Sequence, residues 1–231
     1  MMSLISQPYS CGHCGKVFMQ EKTLFVHVCE QKRRHIAKNE KHVVLAFDTF
    51  QRFYKRAQPN SKQEKTYEDF CKSSYYNAFV KFGSFVSNVN PLYPERFIDY
   101  VVRSGIKLDH WCRDELYDEY VFDLIRKETA ETALQRSIGT MMDWADLHNA
   151  QWNHYFLYVS LSRACYDIKD GKISPWLLLN SSNGKDMLKK FNDEQLNHIQ
   201  KIIDLPFWIN KFKKLPEDVK LVKDVVKESN I

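Results

Sequence analysis

The sequence predicts a mainly α protein in which a small ββα module precedes a multi-helix domain. Gly and Pro are scarce, at seven each among 231 residues, which disfavours a turn-rich β sandwich. Hydrophobic residues make up 44% of the chain, enough for a packed core, and they recur at helical spacing after residue 42. We therefore expect residues 1–30 to form the small module, residues 31–42 a basic linker or a helix extension, and residues 43–231 the helical domain.

The small module is predicted from a set of metal-ligand side chains at characteristic spacing. These side chains are Cys11, Cys14, His27 and Cys29. Zinc prefers four ligands in a tetrahedron, and a Cys-x2-Cys turn followed by a short helix supplies them. Phe18 and Leu24 would form the small core beneath the ion. We expect Zn²⁺ as cofactor, and we expect this segment to fold only with the metal bound.

Two residues are candidates for the fourth ligand, Cys29 and His35. Residues two apart on an ideal helix point about 200° away from each other, so His27 and Cys29 cannot both face one ion from a regular helix. The helix must therefore loosen or end near Val28. His35 is the alternative fourth ligand.

The helix of the module has positions that can read bases. In a ββα finger, helix positions −1, 3 and 6 face the major groove, and here they are Gln20, Thr23 and Val26, with Lys22 beside them. One finger covers only about 3 bp, and no arginine occupies a reading position. The adjacent Phe25 and Val26 are apolar, so this helix face is equally consistent with docking on a protein.

A basic run follows the module directly. Its predicted phosphate-contacting residues are Lys32, Arg33, Arg34, Lys38 and Lys41. Together with the finger they would form a clamp on a nucleic-acid backbone. The alternative is a solvated linker or helix face. The formal charge of the whole chain, +5 at pH 7, is compatible with nucleic acid without requiring it.

The first helices of the helical domain are marked by breaks and caps. They are expected at residues 43–57, after Thr66, at 75–89 and at 94–104. Pro59 ends the first of them. Thr66 would cap the second, with Asp69 at the third helical position. Pro94 suits the first turn of the fourth, and Gly105 ends it.

The second half of the chain is expected to be helical as well. Helices are predicted at residues 110–117, 119–136, 185–191, 193–203 and 216–227, and one or two more within residues 141–165. Asp109 is the expected cap of the first of these helices, and Asp193 is the expected cap of the helix over 193–203. Turns are expected at Asp170-Gly171 and Asn183-Gly184. A buried element is expected to begin at Ser174.

The remaining composition argues for an intracellular protein. Cys71, Cys112 and Cys165 stand singly in aromatic surroundings, as buried reduced thiols do. No stretch of about 18 apolar residues predicts a membrane-spanning helix. We therefore expect no membrane association.

No sequence motif of an enzyme is present. The chain lacks a P-loop, a nucleophile elbow and a metalloprotease helix. Asp143 and Asp146, near His148 and His154, offer a loose cluster that would suit a metal-dependent nuclease. A solvated helix edge explains them better, so we expect no catalytic residues.

Two resemblances add to this interpretation. The first 30 residues resemble the C2H2-like zinc fingers, here with a C2HC ligand set, and depart from them in the short spacing before Cys29. Residues 11–34, 67–70, 75–83 and 107–112 resemble zinc-finger proteins of tailed bacteriophages of the T4 type. That resemblance implies a protein of the infected cell's cytoplasm with a role near phage DNA or transcription, and it implies no particular activity.

The leading hypothesis is a non-enzymatic, zinc-containing accessory protein of replication or transcription that binds nucleic acid, DNA above all. The alternative is a protein-interaction adaptor that docks on a polymerase or helicase.

Overall fold

The computed structural model describes residues 9–231, which divide into two compact units, 9–113 and 114–231. The first eight residues of the predicted module lie outside the described residues. Fifteen α-helices and one two-stranded hairpin make up residues 9–231, which confirms the mainly α class. Every helix within residues 9–231 is too short or too polar to span a lipid bilayer. The boundaries predicted at residues 30 and 42 both fall within the first unit.

The first unit begins with a short antiparallel hairpin and two small helices. They are β1 (Tyr9–Ser10), β2 (Val17–Phe18), α1 (Glu21–Val26) and α2 (Glu30–Ile36). Tyr9 pairs with Phe18 and Ser10 with Val17. The basic run neither continues α1 nor forms an irregular linker. It folds into the separate helix α2, which a 3₁₀ turn over Ala37–Asn39 follows.

Four longer or better-capped helices complete the first unit. They are α3 (Lys41–Ala57), α4 (Tyr67–Lys72), α5 (Tyr76–Val89) and α6 (Pro94–Arg103). All four were predicted from caps and spacing. The Thr66 side chain accepts a hydrogen bond from the Asp69 amide, and the Asp69 carboxylate accepts one from the Thr66 amide, so a full capping box starts α4.

The core of the first unit is aromatic. Phe50 of α3 packs against Phe70 of α4 and Phe79 of α5, with ring centroids 5.1 and 5.4 Å apart. Helices α3 and α5 approach closely at Gly83, where an added Cβ would lie 2.1 Å from the His42 carbonyl oxygen. The predicted helix over 110–117 is wrong. A 3₁₀ turn covers Leu108–His110, and the next helix begins after this unit ends.

The second unit consists of nine helices over residues 114–231. They are α7 (Asp114–Lys127), α8 (Ala130–His148), α9 (Tyr155–Tyr158), α10 (Leu161–Lys169), α11 (Pro175–Leu178), α12 (Ser182–Leu188), α13 (Asp193–Ile199), α14 (Leu205–Lys214) and α15 (Pro216–Glu228). A 3₁₀ turn at Trp152–His154 precedes α9. The fully buried rings of Trp176 and Trp208 pack edge to face in its core, with centroids 6.0 Å apart.

Three local predictions in this unit are wrong. The single helix predicted over 119–136 is broken, because the Thr129 hydroxyl caps α8 by accepting from the Thr132 amide. The turn predicted at Asn183-Gly184 lies inside α12. Asn192, rather than Asp193, caps α13.

Candidate metal centre

The hairpin positions the first two cysteines. Cys11 follows β1, and its amide donates a 2.8 Å hydrogen bond to the Lys16 carbonyl. The Gly15 amide returns a 2.8 Å bond to the Cys11 carbonyl, closing a tight turn around Cys14. Gly15 has a φ of +72°, a conformation that favours glycine. The two thiols therefore project from one turn, as the Cys-x2-Cys spacing predicted.

The end of α1 brings in the other two ligand side chains. The helix stops at Val26, and His27 has an extended backbone with φ −69° and ψ 119°. Cys29 is extended as well and stands at the N-cap of α2. The predicted interruption near Val28 is therefore confirmed. The His27 ring packs on Phe18 with centroids 4.8 Å apart, so β2 fixes the imidazole.

The four predicted ligand side chains meet in one cluster. Their sulfur and nitrogen atoms all lie within 4.8 Å of one another. The Cys14 Sγ is 3.3 Å from the His27 Nε2, and the Cys11 Sγ is 4.0 Å from the Cys29 Sγ. Within residues 9–231 this is the one group of three or more Cys, His, Asp or Glu side chains with the geometry to hold a metal ion.

The protonation of the cluster follows from its backbone. Hydrogen bonds from the amides of Cys14 and His13 lower the pKa of the Cys11 thiol to about 7. At Cys14 the Lys16 amide acts in the same direction, but desolvation and the neighbouring thiols outweigh it and raise the pKa. The backbone of the folded turn therefore favours the thiolate form at Cys11, whereas desolvation and the neighbouring thiols disfavour it at Cys14.

The alternative ligand His35 lies outside the cluster. Its Nδ1 is 4.0 Å from the Cys71 Sγ, and its ring packs on Tyr67 with centroids 5.7 Å apart. The ring of His13 faces it at 5.0 Å. The structure thus places Cys29, and not His35, beside the other three ligands.

The predicted base-reading residues lie on an exposed surface. Gln20 is the N-cap of α1, and its side chain makes no capping hydrogen bond. Lys22, Thr23 and Val26 are all exposed on α1. The apolar pair is unusually open, because Phe25 is 82% exposed and Val26 is 72% exposed.

The basic run divides into free and engaged side chains. Lys32 donates from Nζ to the His27 carbonyl at 3.3 Å. Arg33 is 66% exposed and pairs with Glu30. Lys38 lies 5.3 Å from the Tyr67 ring centroid, and Lys41 is an exposed residue at the start of α3.

Arg34 has a structural role that the sequence did not suggest. Its side chain is only 16% exposed, and its guanidinium donates a 2.7 Å hydrogen bond to the Cys71 carbonyl. The same group lies 4.3 Å from the Tyr76 ring centroid. The Tyr67 hydroxyl donates a 2.6 Å bond to the Arg34 carbonyl. These partners are more than 30 residues away in sequence, so no local pattern could have revealed that Arg34 docks α2 on the helices.

The weaker nuclease hypothesis gains no support. Asp143 and Asp146 are exposed on α8, and they belong to no metal-holding group within the described residues.

A scan of protein-family models and searches of curated proteins and of solved structures found no match to this chain. The resemblance to phage zinc-finger proteins therefore stays a prediction.

Proposed function

We propose that the chain is a zinc-binding protein that contacts nucleic acid through its first unit. The cluster of Cys11, Cys14, His27 and Cys29 carries this proposal. Three thiols and one imidazole are a donor set typical of structural zinc. A regular tetrahedron with ordinary zinc–ligand distances separates two sulfurs by about 3.8 Å and a sulfur from a nitrogen by about 3.6 Å. The separations of 4.0 and 3.3 Å in the cluster fit such an ion.

The ion would serve folding rather than catalysis. Four protein side chains fill the coordination sphere, so no position is left open for water or substrate. The hairpin and α1 bury only one residue, Cys11, and so lack a core that could hold them together without metal. Zinc binding would supply the missing free energy.

The charge distribution supports nucleic acid as the ligand. Residues 1–113 contain eighteen Lys and Arg against ten Asp and Glu, whereas residues 114–231 contain sixteen against nineteen. The excess positive charge of the chain therefore resides in the first unit, together with the metal centre. A basic surface of this kind attracts phosphates and releases counterions on contact.

The contact surface is proposed on α1, α2 and the start of α3. Gln20, Lys22 and Thr23 lie exposed on or before α1, and Lys32, Arg33, Lys38 and Lys41 follow along the chain. Arg34 is left out of this surface, because its guanidinium is engaged by the Cys71 carbonyl and the Tyr76 ring.

Fluorescence anisotropy with labelled duplex and single-stranded DNA over a salt series tests this function. The double variant Lys32→Ala/Arg33→Ala should weaken binding and reduce the slope of log K against log salt by about 1.5–2. The matched control, Lys220→Ala/Lys223→Ala on α15, removes two exposed charges from the second unit and should change nothing. The proposal is wrong if the wild-type chain binds DNA weakly, with an affinity that does not change with salt concentration and is the same in Lys32→Ala/Arg33→Ala.

A second function is favoured by the exposure of Phe25 and Val26. Large apolar side chains so open to solvent are typical of anchors that a protein partner covers. The chain would then be an adaptor that docks on a polymerase or helicase. A pull-down from the native host cells, with and without nuclease treatment, separates direct contacts from DNA-bridged ones. A partner that survives nuclease and is lost with Phe25→Asp supports the adaptor; a partner unaffected by Phe25→Asp counts against it.

A further inference from the structure

A groove of about 830 Å³ lies in the first unit, away from the metal ligands in sequence. It is bounded by the last turns of α3, by residues 58–65 and by the end of α6. Six cationic side chains line it: Arg52, Lys55, Arg56, Lys62, Lys65 and Arg103. The sequence shows that Arg52, Lys55 and Arg56 extend the positive charge beyond the basic run, but it does not show that they converge with Lys62, Lys65 and Arg103.

Six cations face only three carboxylates in the groove lining, and one arginine pairs with two of these carboxylates. Arg52 donates from Nε to Asp48 at 2.9 Å and from Nη1 to Asp99 at 2.9 Å. Of the lining acids this leaves Glu64, which is exposed. Within residues 9–231, the other five cations form no ion pair. The groove therefore presents an unbalanced positive charge.

Helix ends explain only part of this arrangement. Lys55 and Arg56 stand in the last turn of α3, and Arg103 in the last turn of α6, where cations complement the helix dipole. Lys62 and Lys65 belong to the connection between α3 and α4, where no helix terminus favours them. Their convergence on the same cavity points to an anionic ligand.

An aromatic ring accompanies the cations. Tyr54 lines the groove and is half-buried, and it packs on Phe50 with centroids 4.6 Å apart. The Lys65 Nζ lies 5.2 Å from the Tyr54 ring centroid. Cations along a concave path with an aromatic side chain beside them are the composition of surfaces that bind single strands.

We propose that this groove binds the phosphodiester backbone of a single-stranded nucleic acid. The proposal deepens the proposed function and rests on its assignment of nucleic acid to the first unit. It adds a second contact surface, distinct from α1 and α2, and it names the strand form. Backbone phosphates would contact Lys55, Arg56 and Lys62, which are exposed and unpaired among the described residues.

The test compares two triple variants of the full chain with bound zinc. Lys55→Ala/Arg56→Ala/Lys62→Ala removes the groove cations, and Lys220→Ala/Lys223→Ala/Lys227→Ala removes three exposed lysines of α15. The probe is a fluorescein-labelled oligo(dT) of about 16 nucleotides, titrated over a salt series. The groove variant should bind about tenfold more weakly, with a salt slope reduced by about 2, while the control stays at wild type. Circular dichroism melting of each variant checks that the fold is kept.

A second measurement does not depend on substitutions. An oligonucleotide carrying 5-iodouracil, irradiated in complex with the wild-type chain, should crosslink within residues 51–65. Crosslinks confined to residues 20–41 would overturn the groove and leave the proposed function intact.

Each remaining outcome is decisive as well. If the groove variant binds oligo(dT) as tightly as the wild-type chain does, the groove proposal is wrong and the proposed function stands. If that same variant has lost affinity for poly-glutamate, the groove binds acidic peptides instead. A wild-type chain that binds neither single-stranded nor duplex probe overturns the groove and the proposed function together.

Discussion

The backbone amide of Lys32 donates a 3.4 Å hydrogen bond to the Sγ of Cys29. Cys29 therefore caps helix α2 with the same sulfur that completes the metal cluster. Because α2 begins at this ligand, the metal centre fixes where the helix starts. Five residues after Cys29, Arg34 of α2 donates a hydrogen bond to the Cys71 carbonyl. Helix α2 thus connects the metal centre, at Cys29, to the helical core of the first unit, at Cys71.

The double role of Cys29 can be separated by substitution. Cys29→Ser keeps a side-chain oxygen that can cap α2 but removes a zinc-binding thiolate. We expect it to weaken zinc affinity by at least about tenfold while helix content with saturating zinc is retained. The measurement is competition with a chromophoric chelator. His35→Ala is the matched comparison and should leave zinc affinity unchanged; the reverse pattern would make His35 the fourth ligand.

Arg34 and Arg33 are neighbours with opposite roles. Arg34→Ala removes a charged hydrogen bond to the Cys71 carbonyl and a cation–π contact with Tyr76, so it should lower the free energy of unfolding by about 2–4 kcal/mol. Arg33→Ala removes an exposed pair with Glu30 and should cost about 0.5 kcal/mol or less. Urea unfolding followed by circular dichroism measures both.

The same pair discriminates stability from binding. Arg33→Ala should weaken DNA binding while lowering the free energy of unfolding by no more than about 0.5 kcal/mol. If Arg34→Ala proves as harmless to stability as Arg33→Ala, α2 is not docked as described.

Zinc affinity should fall as the pH is lowered. Without metal the module lacks a core and is unfolded, so the Cys11 thiol has its ordinary pKa of 9.0, whereas the backbone amides of the folded turn lower this pKa to about 7. The stability that this thiolate contributes is complete above pH 9 and is lost as the pH falls through 7. Zinc must also displace the proton of Cys14, whose pKa is raised. Each displaced proton weakens apparent zinc affinity by about tenfold per pH unit.

The decline should be steep over the whole range from pH 8 to pH 6, because the unfolded, metal-free module holds a proton on each cysteine ligand below about pH 8.5. Chelator competition at pH 8, 7 and 6 measures it. An affinity that stays constant over this range would exclude thiolate ligation by these two residues.

The close approach of α3 and α5 makes Gly83 intolerant of a side chain. A Cβ there would lie 2.1 Å from the His42 carbonyl oxygen and 2.9 Å from the Ala46 nitrogen, so Gly83→Ala must separate the helices. We expect a loss of about 3 kcal/mol in thermal or urea unfolding. Gly139 in α8 has no atom within 4 Å of an added Cβ, and Gly139→Ala should stabilise by about 0.5–1 kcal/mol. Equal effects of the two would refute the packing of α3 on α5.

Much of the fold follows from local signals. Thr66 with Asp69, Pro94 and the Cys-x2-Cys turn each specify structure through neighbours a few residues away, and each was predicted from the sequence. Local signals give the wrong secondary structure where tertiary packing determines the conformation of the chain. The Asn183-Gly184 pair is typical of a turn, yet Gly184 lies within α12, where an added Cβ would be 2.7 Å from the Leu178 carbonyl oxygen. Its glycine serves close packing rather than a reversal of the chain.

In the candidate site, too, some features follow from local sequence and others depend on distant contacts. The metal ligands could be predicted, because their spacing is itself the signal. The role of Arg34 could not, because its partner Cys71 is 37 residues away. The cationic groove is likewise assembled by α3, α6 and the connection between α3 and α4, and the sequence gives no indication that these segments meet.

Metal analysis of the purified, untagged full-length chain tests the central claim most directly. Inductively coupled plasma mass spectrometry should find one zinc per chain, and Cys11→Ser should lose that zinc and lower the melting temperature. Cys112→Ser, a cysteine outside the cluster, should retain it. A wild-type chain without stoichiometric zinc, whose melting temperature Cys11→Ser leaves unchanged, would contradict the account.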